Sequence, residues 1–542
     1  MRPMKTNQAM NSKQDYIDRL EKGRACLNTK KLEEAEQIAL YLFENYPKMP
    51  PTLFFLGQVA MERRRFVAAE DFYSQAIKLA PKEAGIRIAH AKALAALGRR
   101  VDSMKSLDKS VSLQPNDPKI LHKCAMSFNQ LSEYERALEL WTTALDHVTD
   151  DPIILHNIAA VHRTLGNLSE AEKFANKAIV INPNIASAIY LRSDVRKVTQ
   201  DDNHIAHLEE HLSNTEFPAA TKHQYLQALA KEYEDIGDYK KSFETLKIST
   251  LVRRDGIDYD VKDDITLMSD MAKHYSAKFF KTKREGFIGG KTPIFILGLP
   301  RAGSTLLERI LGGHPDVTSM GERIDFDRSL RVQIREAHPG LNIEKEDFVT
   351  TSTAVDFRKL GATYMKRTAP YAGDTSHCLD KMPVNYLYSG LILTALPNAK
   401  IIHIRRSPMD ACYAMLKMSF NRAYPFSYDL DELAYYYIAH HTLMQHWHEV
   451  LGEQMFEVNY KDLVADTQGT VRKLTDGCGL EWNPDILDYE KNKGASTTAS
   501  AAQIRQPIYS SSVEKWRHYE AQLAPVRARL EDAGINVGDS GN

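Results

Sequence analysis

The sequence predicts an all-α repeat solenoid followed by an α/β domain with a mostly parallel central sheet. Three observations carry that expectation. Prolines recur with a 34-residue period in the first half of the chain. A buried-strand pattern, Pro293–Leu297, runs through a glycine-bearing turn into a helix with one apolar face, Leu306–Leu311. A second short apolar run, Lys400–Ile404, reads as another strand.

The repeat comes first along the chain. Pro47, Pro81, Pro115 and Pro183 stand at intervals of 34, 34 and twice 34, and Thr149 fills the skipped slot. Small residues recur in phase: Ala35, Ala69, Ser103, Ala137 and Ala171 in one column; Ala76, Ser110, Ala144 and Ala178 in another; Gly23, Gly57, Ala91, Ala125 and Ala159 in a third. Leu32, Phe66, Tyr134 and Leu168 precede the first column by three positions. Small side chains let two helices of a hairpin approach closely, and proline closes the second helix because it cannot continue the hydrogen-bond ladder. One hairpin cannot bury its own apolar face, so neighbours must stack. The period and columns resemble the tetratricopeptide repeat. Five units are expected over about residues 16–183, with a degenerate sixth over 223–250 marked by Tyr233, Gly237, Tyr239 and Leu246. Stacked repeats commonly offer a groove to a protein or peptide. The expected organisation is a repeat array over 1–255, a linker over 256–290 and an α/β domain over 291–542. The linker holds Gly286, Gly289, Gly290 and a basic run, Lys281-Thr-Lys-Arg284, read as a solvated segment rather than a nucleic-acid site.

Composition bounds the partners. The chain has 542 residues, too many for one domain, with 43% apolar and 26% charged residues, a globular balance. Seventy basic against 71 acidic residues leave a net charge of −1, which gives no sign of a nucleic-acid or membrane partner. Cys26, Cys124, Cys378, Cys412 and Cys478 are odd in number and form no CxxC pair, so a reducing compartment is expected. The N-terminus has no apolar signal core, and no stretch approaches the ~18–20 apolar residues of a membrane span. A soluble, cytoplasmic protein is the expectation.

The chemistry lies in Gly298-Leu-Pro-Arg301-Ala302-Gly303-Ser304-Thr305. Strand, glycine loop and helix N-terminus together cradle phosphate, because glycine permits close backbone approach and the helix end offers N–H groups and positive dipole. Gly298 and Gly303 have the spacing of a nucleoside-triphosphate loop, yet Ser304 fills the lysine slot and the cation is Arg301. The second strand ends in Arg405-Arg406, not in a metal-binding Asp. The expectation is an anion cradle that binds a phosphate-rich nucleotide through cations, with no metal. His440, His441, His446 and His448 cluster on one expected helix without the HExxH spacing of a zinc hydrolase, so they are read as helix surface or core.

Pro300-Arg301-Ala302-Gly303-Ser304-Thr305 resembles the 5′-phosphosulfate loop of sulfotransferases, and Ile402-His-Ile-Arg405-Arg406-Ser-Pro408 resembles their 3′-phosphate segment. Asp380-Lys381-Met-Pro383-x-Asn385 and Gln503-Ile-Arg505-Gln-Pro507 resemble the tyrosylprotein sulfotransferase branch, and repeat-fused sulfotransferases match best. The resemblance covers about residues 290–535. It implies 3′-phosphoadenosine 5′-phosphosulfate as donor and a hydroxyl acceptor, such as a protein tyrosine recruited by the repeats. It implies Arg301 and the backbone of Ala302, Gly303, Ser304 and Thr305 on the 5′-phosphosulfate, Arg406 on the 3′-phosphate, Lys381 on the leaving oxygen, and Glu322 as base. Tyr460, Ser500, Arg505 and Lys515 complete the expected nucleotide contacts. His314 is read as orienting its loop, and Asp380 and Asp410 as structural anchors. The chain departs from the family pattern at Ala302, Ser407 and Ala414. Each lost neutral hydrogen bond is worth only about 0.5–1.5 kcal/mol, which weakens donor binding without removing it.

Two other readings stay open at this point. One is a kinase related to P-loop enzymes, against which the missing lysine and Asp speak. The other is a protein-binding adaptor with a vestigial transferase half. A glycan, a lipid or a small phenol as acceptor, and a homodimer, also stay open.

Overall fold

The computed structural model describes residues 4–282, 285–340, 346–420, 422–489 and 513–538. The chain is a helical repeat solenoid followed by a domain with a parallel five-stranded sheet. It forms two compact units, Met1–Val161 and His162–Asn542.

In Met1–Val161, helices pair in sequence order: Met4–Asn28 with Leu32–Asn45, Pro50–Glu62 with Phe66–Leu79, Ala84–Ala96 with Arg100–Leu113, and Pro118–Gln130 with Tyr134–His147. Pro47, Pro81 and Pro115 each follow two residues after a second helix ends, where the sequence places them. The small columns are the helix contacts: Ala35, Ala69, Ala76, Ala91, Ala125, Ala137 and Ala144 are 0% exposed. Where serine replaces alanine, its hydroxyl bonds the facing helix: Ser103 Oγ donates to the Ala91 carbonyl at 2.7 Å and Ser110 Oγ to the Ala84 carbonyl at 2.9 Å. The turn inside each hairpin needs a residue in the left-handed region, with φ of 59° at Lys30, 56° at Arg64, 77° at Gly98 and 63° at Ser132. Glycine serves there best, and three of these four positions do without it.

The unit His162–Asn542 begins inside the helix Pro152–Leu165, well before residue 255. It contains the expected sixth hairpin, Ala219–Asp235 and Tyr239–Asp255, in which Ser242 Oγ donates to the Ala230 carbonyl at 2.8 Å. The stretch expected as a linker is folded. It carries the helices Val261–His274 and Ala277–Lys281, and Val261, Met268, Met271, Tyr275 and Phe279 are buried in the main core. Asp263, Asp264 and Asp270 dilute the apolar stripe, which hid this helix from the sequence. Lys283 and Arg284 of the basic run lie outside the described residues.

The sheet is β1 (Thr292–Leu297), β2 (Val317–Ser319), β3 (His377–Lys381), β4 (Lys400–Arg405) and β5 (Met455–Asn459), in the order β2-β3-β1-β4-β5. All four pairings are parallel. Central β1 is buried from Pro293 to Leu297, as an apolar run in a covered parallel sheet must be. Alternate residues feed two cores: Ile294 and Ile296 meet Leu307, Ile310 and Val458, while Phe295 and Leu297 belong with Tyr364, Leu391 and Trp447.

Overfilling a repeat column tests the close helix approach. Ala137→Leu should cost about 1–3 kcal/mol in urea denaturation. An unchanged midpoint would show that the hairpin tolerates the larger side chain.

Candidate functional site

In an open parallel sheet, ligands bind beyond the carboxyl ends of the strands. Here β1, β3 and β4 end in the loop 298–303, in Lys381 and in Arg405-Arg406.

The loop after β1 is pinned on both sides. A Cβ on Gly298 would lie 2.3 Å from the Ile404 carbonyl oxygen, and a Cβ on Gly303 would lie 2.3 Å from Tyr460 Cδ2. Gly298 N–H donates to the Pro383 carbonyl at 3.2 Å, tying the loop to the segment after β3. Between the glycines, Arg301 has φ of 66°. That region is uncommon for a non-glycine residue and persists only where the surroundings fix it. Gly303 caps the helix Ser304–Leu311, so the backbone of Ser304 and Thr305 forms the first turn, the end that favours an anion. Arg406 Nη1 donates to the Arg301 carbonyl at 3.4 Å, and its guanidinium lies 5.2 Å from the centre of the Tyr460 ring. Loop, Arg406 and Tyr460 therefore form one assembly. A cavity of about 360 Å³ opens beside it, lined by Leu299, Ala302, Arg406 and Tyr460 among others.

At the end of β3, Lys381 is 1% exposed and sits between two carboxylates. Its ammonium hydrogen-bonds Glu322 Oε1 and lies 3.6 Å from Glu308 Oε2. Glu308 projects from the loop's own helix, accepts from Ser319 Oγ at 2.7 Å, and has its carboxyl pushed up by burial against the opposing pull of Lys381. Glu322 stays 41% exposed, open to an incoming group. The resemblance gives Glu322 and Lys381 separate roles without pairing them, and it misses Glu308. Its place in Leu-Leu-Glu308-Arg is that of any solvent-facing helix residue.

A second acidic centre joins a repeat-type hairpin to this domain. Glu234, from the helix Ala219–Asp235, binds Lys515, Lys417 at 3.0 Å and the Tyr413 hydroxyl at 2.5 Å. Burial works against the Glu234 charge, yet Lys417 and Lys515 outweigh it and hold the carboxyl below the usual range. Burial lowers the Lys417 pKa, Glu234 opposes that, and the charges of Lys515 and Arg301 add to the lowering. Lys515 is thus engaged by Glu234, in the same electrostatic neighbourhood as Arg301. Neither Glu234 nor Lys417 was legible as a site residue in the sequence.

His314 is committed to its loop, with Nε2 donating to the Glu481 carbonyl at 2.7 Å and Nδ1 accepting from Asp316 N–H at 3.1 Å. Asp410 accepts from Ser407 Oγ at 2.8 Å and from Glu514 N–H at 2.9 Å. Ala414 is buried on the helix Pro408–Leu416. His446 Nε2 donates to the Tyr275 carbonyl at 2.9 Å, tying its helix to the end of Val261–His274. Ser500 and Arg505 lie outside the described residues.

Residues 293–484 match the sulfotransferase family, and residues 125–184 match the tetratricopeptide repeat. An uncharacterized protein of Aquifex aeolicus is 31% identical over 393 residues, 71% of this chain and 51% of that protein. The protein-tyrosine sulfotransferase of Drosophila melanogaster is 22% identical, covering 41% of this chain and 46% of that protein. Protein-tyrosine sulfotransferase 2 of Gallus gallus is 23% identical, over 44% and 68% respectively. The chain thus spans about half the length of the first two of these relatives. Among solved structures, a thermophilic tetratricopeptide-repeat protein of Thermus thermophilus aligns at 17% identity and a TM-score of 0.28, over 32% of this chain and 94% of that one.

The Asp380 carboxyl beside the site gives a pH prediction. It is 0% exposed and accepts from the Tyr364 hydroxyl at 2.8 Å. Burial pushes its pKa up to about 8. The folded chain therefore binds more protons than the unfolded chain between about pH 4 and 8, and stability falls as pH rises through that window. Asp380→Asn should flatten this fall in urea midpoints measured from pH 4 to 8. Parallel profiles for the two proteins would contradict it.

Proposed function

With a sulfotransferase-family domain at residues 293–484 joined to tetratricopeptide repeats, we propose that the chain moves a sulfuryl group from 3′-phosphoadenosine 5′-phosphosulfate to a hydroxyl. The acceptor we favour is a protein tyrosine brought in by the repeats. Strain and charge in one loop support this reading most directly: Arg301 is held in the left-handed region between two glycines that accept no side chain. Such a loop brings its backbone and one guanidinium close to an anion, and a guanidinium can fork onto phosphosulfate oxygens. In this reading Arg406 takes the 3′-phosphate. Tyr460 covers the loop glycine and stacks near Arg406, so it borders the nucleotide on that side. Lys515, engaged by Glu234, contributes positive potential rather than a first contact.

The Lys381–Glu322 pair supplies the transfer chemistry. The acceptor oxygen attacks sulfur, its proton passes to Glu322, and the bond from sulfur to the 5′-phosphate oxygen breaks. Lys381, a buried cation, neutralises charge growing on that leaving oxygen. Donor binding gives Lys381 an anion to face, which frees Glu322 from its ion pair for proton transfer. Glu308 keeps Lys381 directed into the site while that exchange occurs. Repeats on the same chain raise the local concentration of an acceptor peptide.

The roles separate by mutation. Glu322→Gln should bind donor normally and lose about 10²–10⁴-fold in turnover of labelled donor with a tyrosine-peptide library. Arg301→Ala should lose donor binding itself. Parental turnover by Glu322→Gln would remove that residue from the chemistry.

A further inference from the structure

Along β4 and β5, three potential metal ligands converge that the transfer chemistry does not use. His403 is on β4, Glu457 on β5, and His448 on the helix Leu430–Leu451. The parallel register sets His403 directly beside Glu457, so both side chains leave the same face of the sheet. His448 descends onto that face from the helix above. His403 Nδ1 lies 3.2 Å from His448 Nε2 and 3.7 Å from Glu457 Oε2, and His448 Nε2 lies 3.2 Å from the same oxygen.

These separations have a chemical meaning. Zinc bonds to imidazole nitrogen and carboxylate oxygen are about 2.0–2.2 Å, so neighbouring ligand atoms of a tetrahedral site lie roughly 3.3–3.5 Å apart. The observed triangle has nearly that edge. Two imidazole nitrogens and a carboxylate oxygen within 3.7 Å of one another bring three lone pairs together, and shared protons satisfy them only in part. A single cation satisfies all three. The side chain of His403 is 5% exposed, while those of His448 and Glu457 are 29% and 39% exposed, so one face of the triangle is closed and the other open. All three residues line the cavity of about 360 Å³ that also reaches Arg406 and Tyr460. Arg405 Nε donates to the other Glu457 oxygen at 2.6 Å, leaving Oε2 turned toward the histidines.

We propose that His403, His448 and Glu457 bind one divalent transition-metal ion of the zinc class, with its fourth position open to the cavity. The site holds its ligands on two adjacent strands and one helix, and it is independent of the sulfuryl-transfer reading. The sequence expectation of no metal rested on the arginines that end the second strand where an Asp would hold a metal, and on histidine spacing along one helix. Spacing cannot reveal this set, because His403 and Glu457 are 54 residues apart and meet through strand register.

The test uses the full chain, stripped with chelator and confirmed folded by circular dichroism. Zn²⁺ is titrated in competition with a chromophoric chelator, and Co²⁺ is followed by its visible absorption. The parent should bind one tight equivalent and give the intense bands of a four- or five-coordinate Co²⁺ site. His448→Ala and Glu457→Gln alter partly exposed side chains and should weaken binding by more than the ~10–100-fold that loss of an outer-shell partner costs. His441→Ala, in the same cavity but outside the triangle, should bind as the parent does. Equal affinity in parent, His448→Ala and Glu457→Gln would overturn the proposal, as would no tight equivalent in the folded parent. Co²⁺ bands of an octahedral aquo-type ion would overturn it too.

Discussion

A methyl group on Gly303 would collide with the Tyr460 ring, and one on Gly298 would collide with the Ile404 carbonyl. The loop between β1 and its helix therefore has one backbone course, held by β4 on one side and by the residue after β5 on the other. Arg301 takes up the strain of that course, with φ of 66°. Everything placed around the site depends on this close approach. It sets the helix end that favours an anion, brings Arg406 against the Arg301 carbonyl, and leaves Lys381 at the neighbouring strand end. Lost packing here would move several charged groups at once.

Charge is arranged around that loop in two balanced groups. Lys381 stands between Glu322 and Glu308, and Glu234 stands between Lys417 and Lys515. A buried ion with one partner is costly to isolate, because its desolvation is no longer offset. Both groups share partners, so one contact can be exchanged for a ligand without leaving a bare charge. Glu234 comes from a repeat-type hairpin, and Arg254 of the next helix forks onto Glu432 at 2.7 Å through two nitrogens. The last hairpin is thereby part of the electrostatics of the sheet domain. That explains why a boundary drawn at residue 255 from repeat period alone finds no break in the fold.

Local patterns were legible in the sequence, and long-range ones were not. Proline spacing located the ends of the second helices because proline acts on its own backbone. The left-handed turn residues recur with the same period, but Lys30, Arg64 and Ser132 carry no mark of it. β1, its glycine loop and β4 were readable from apolar runs and glycine. The packed helix Val261–His274 was not, since its acidic residues mask the buried stripe. Resemblance named Glu322, Lys381 and Tyr460 one by one; the fold sets Lys381 against Glu322 and Tyr460 against Gly303. Glu308, Glu234 and the pairing of His403 with Glu457 depend on which elements pack together. No spacing along the chain encodes that.

The most direct test of the central claim is calorimetric titration of the folded full chain with adenosine 3′,5′-bisphosphate, beside adenosine 5′-monophosphate. A loop that seats one anion, with Arg406 seating a second, predicts saturable one-site binding of the bisphosphate and markedly weaker binding of the monophosphate. Absence of heat with either nucleotide, or equal affinity for both, would contradict it.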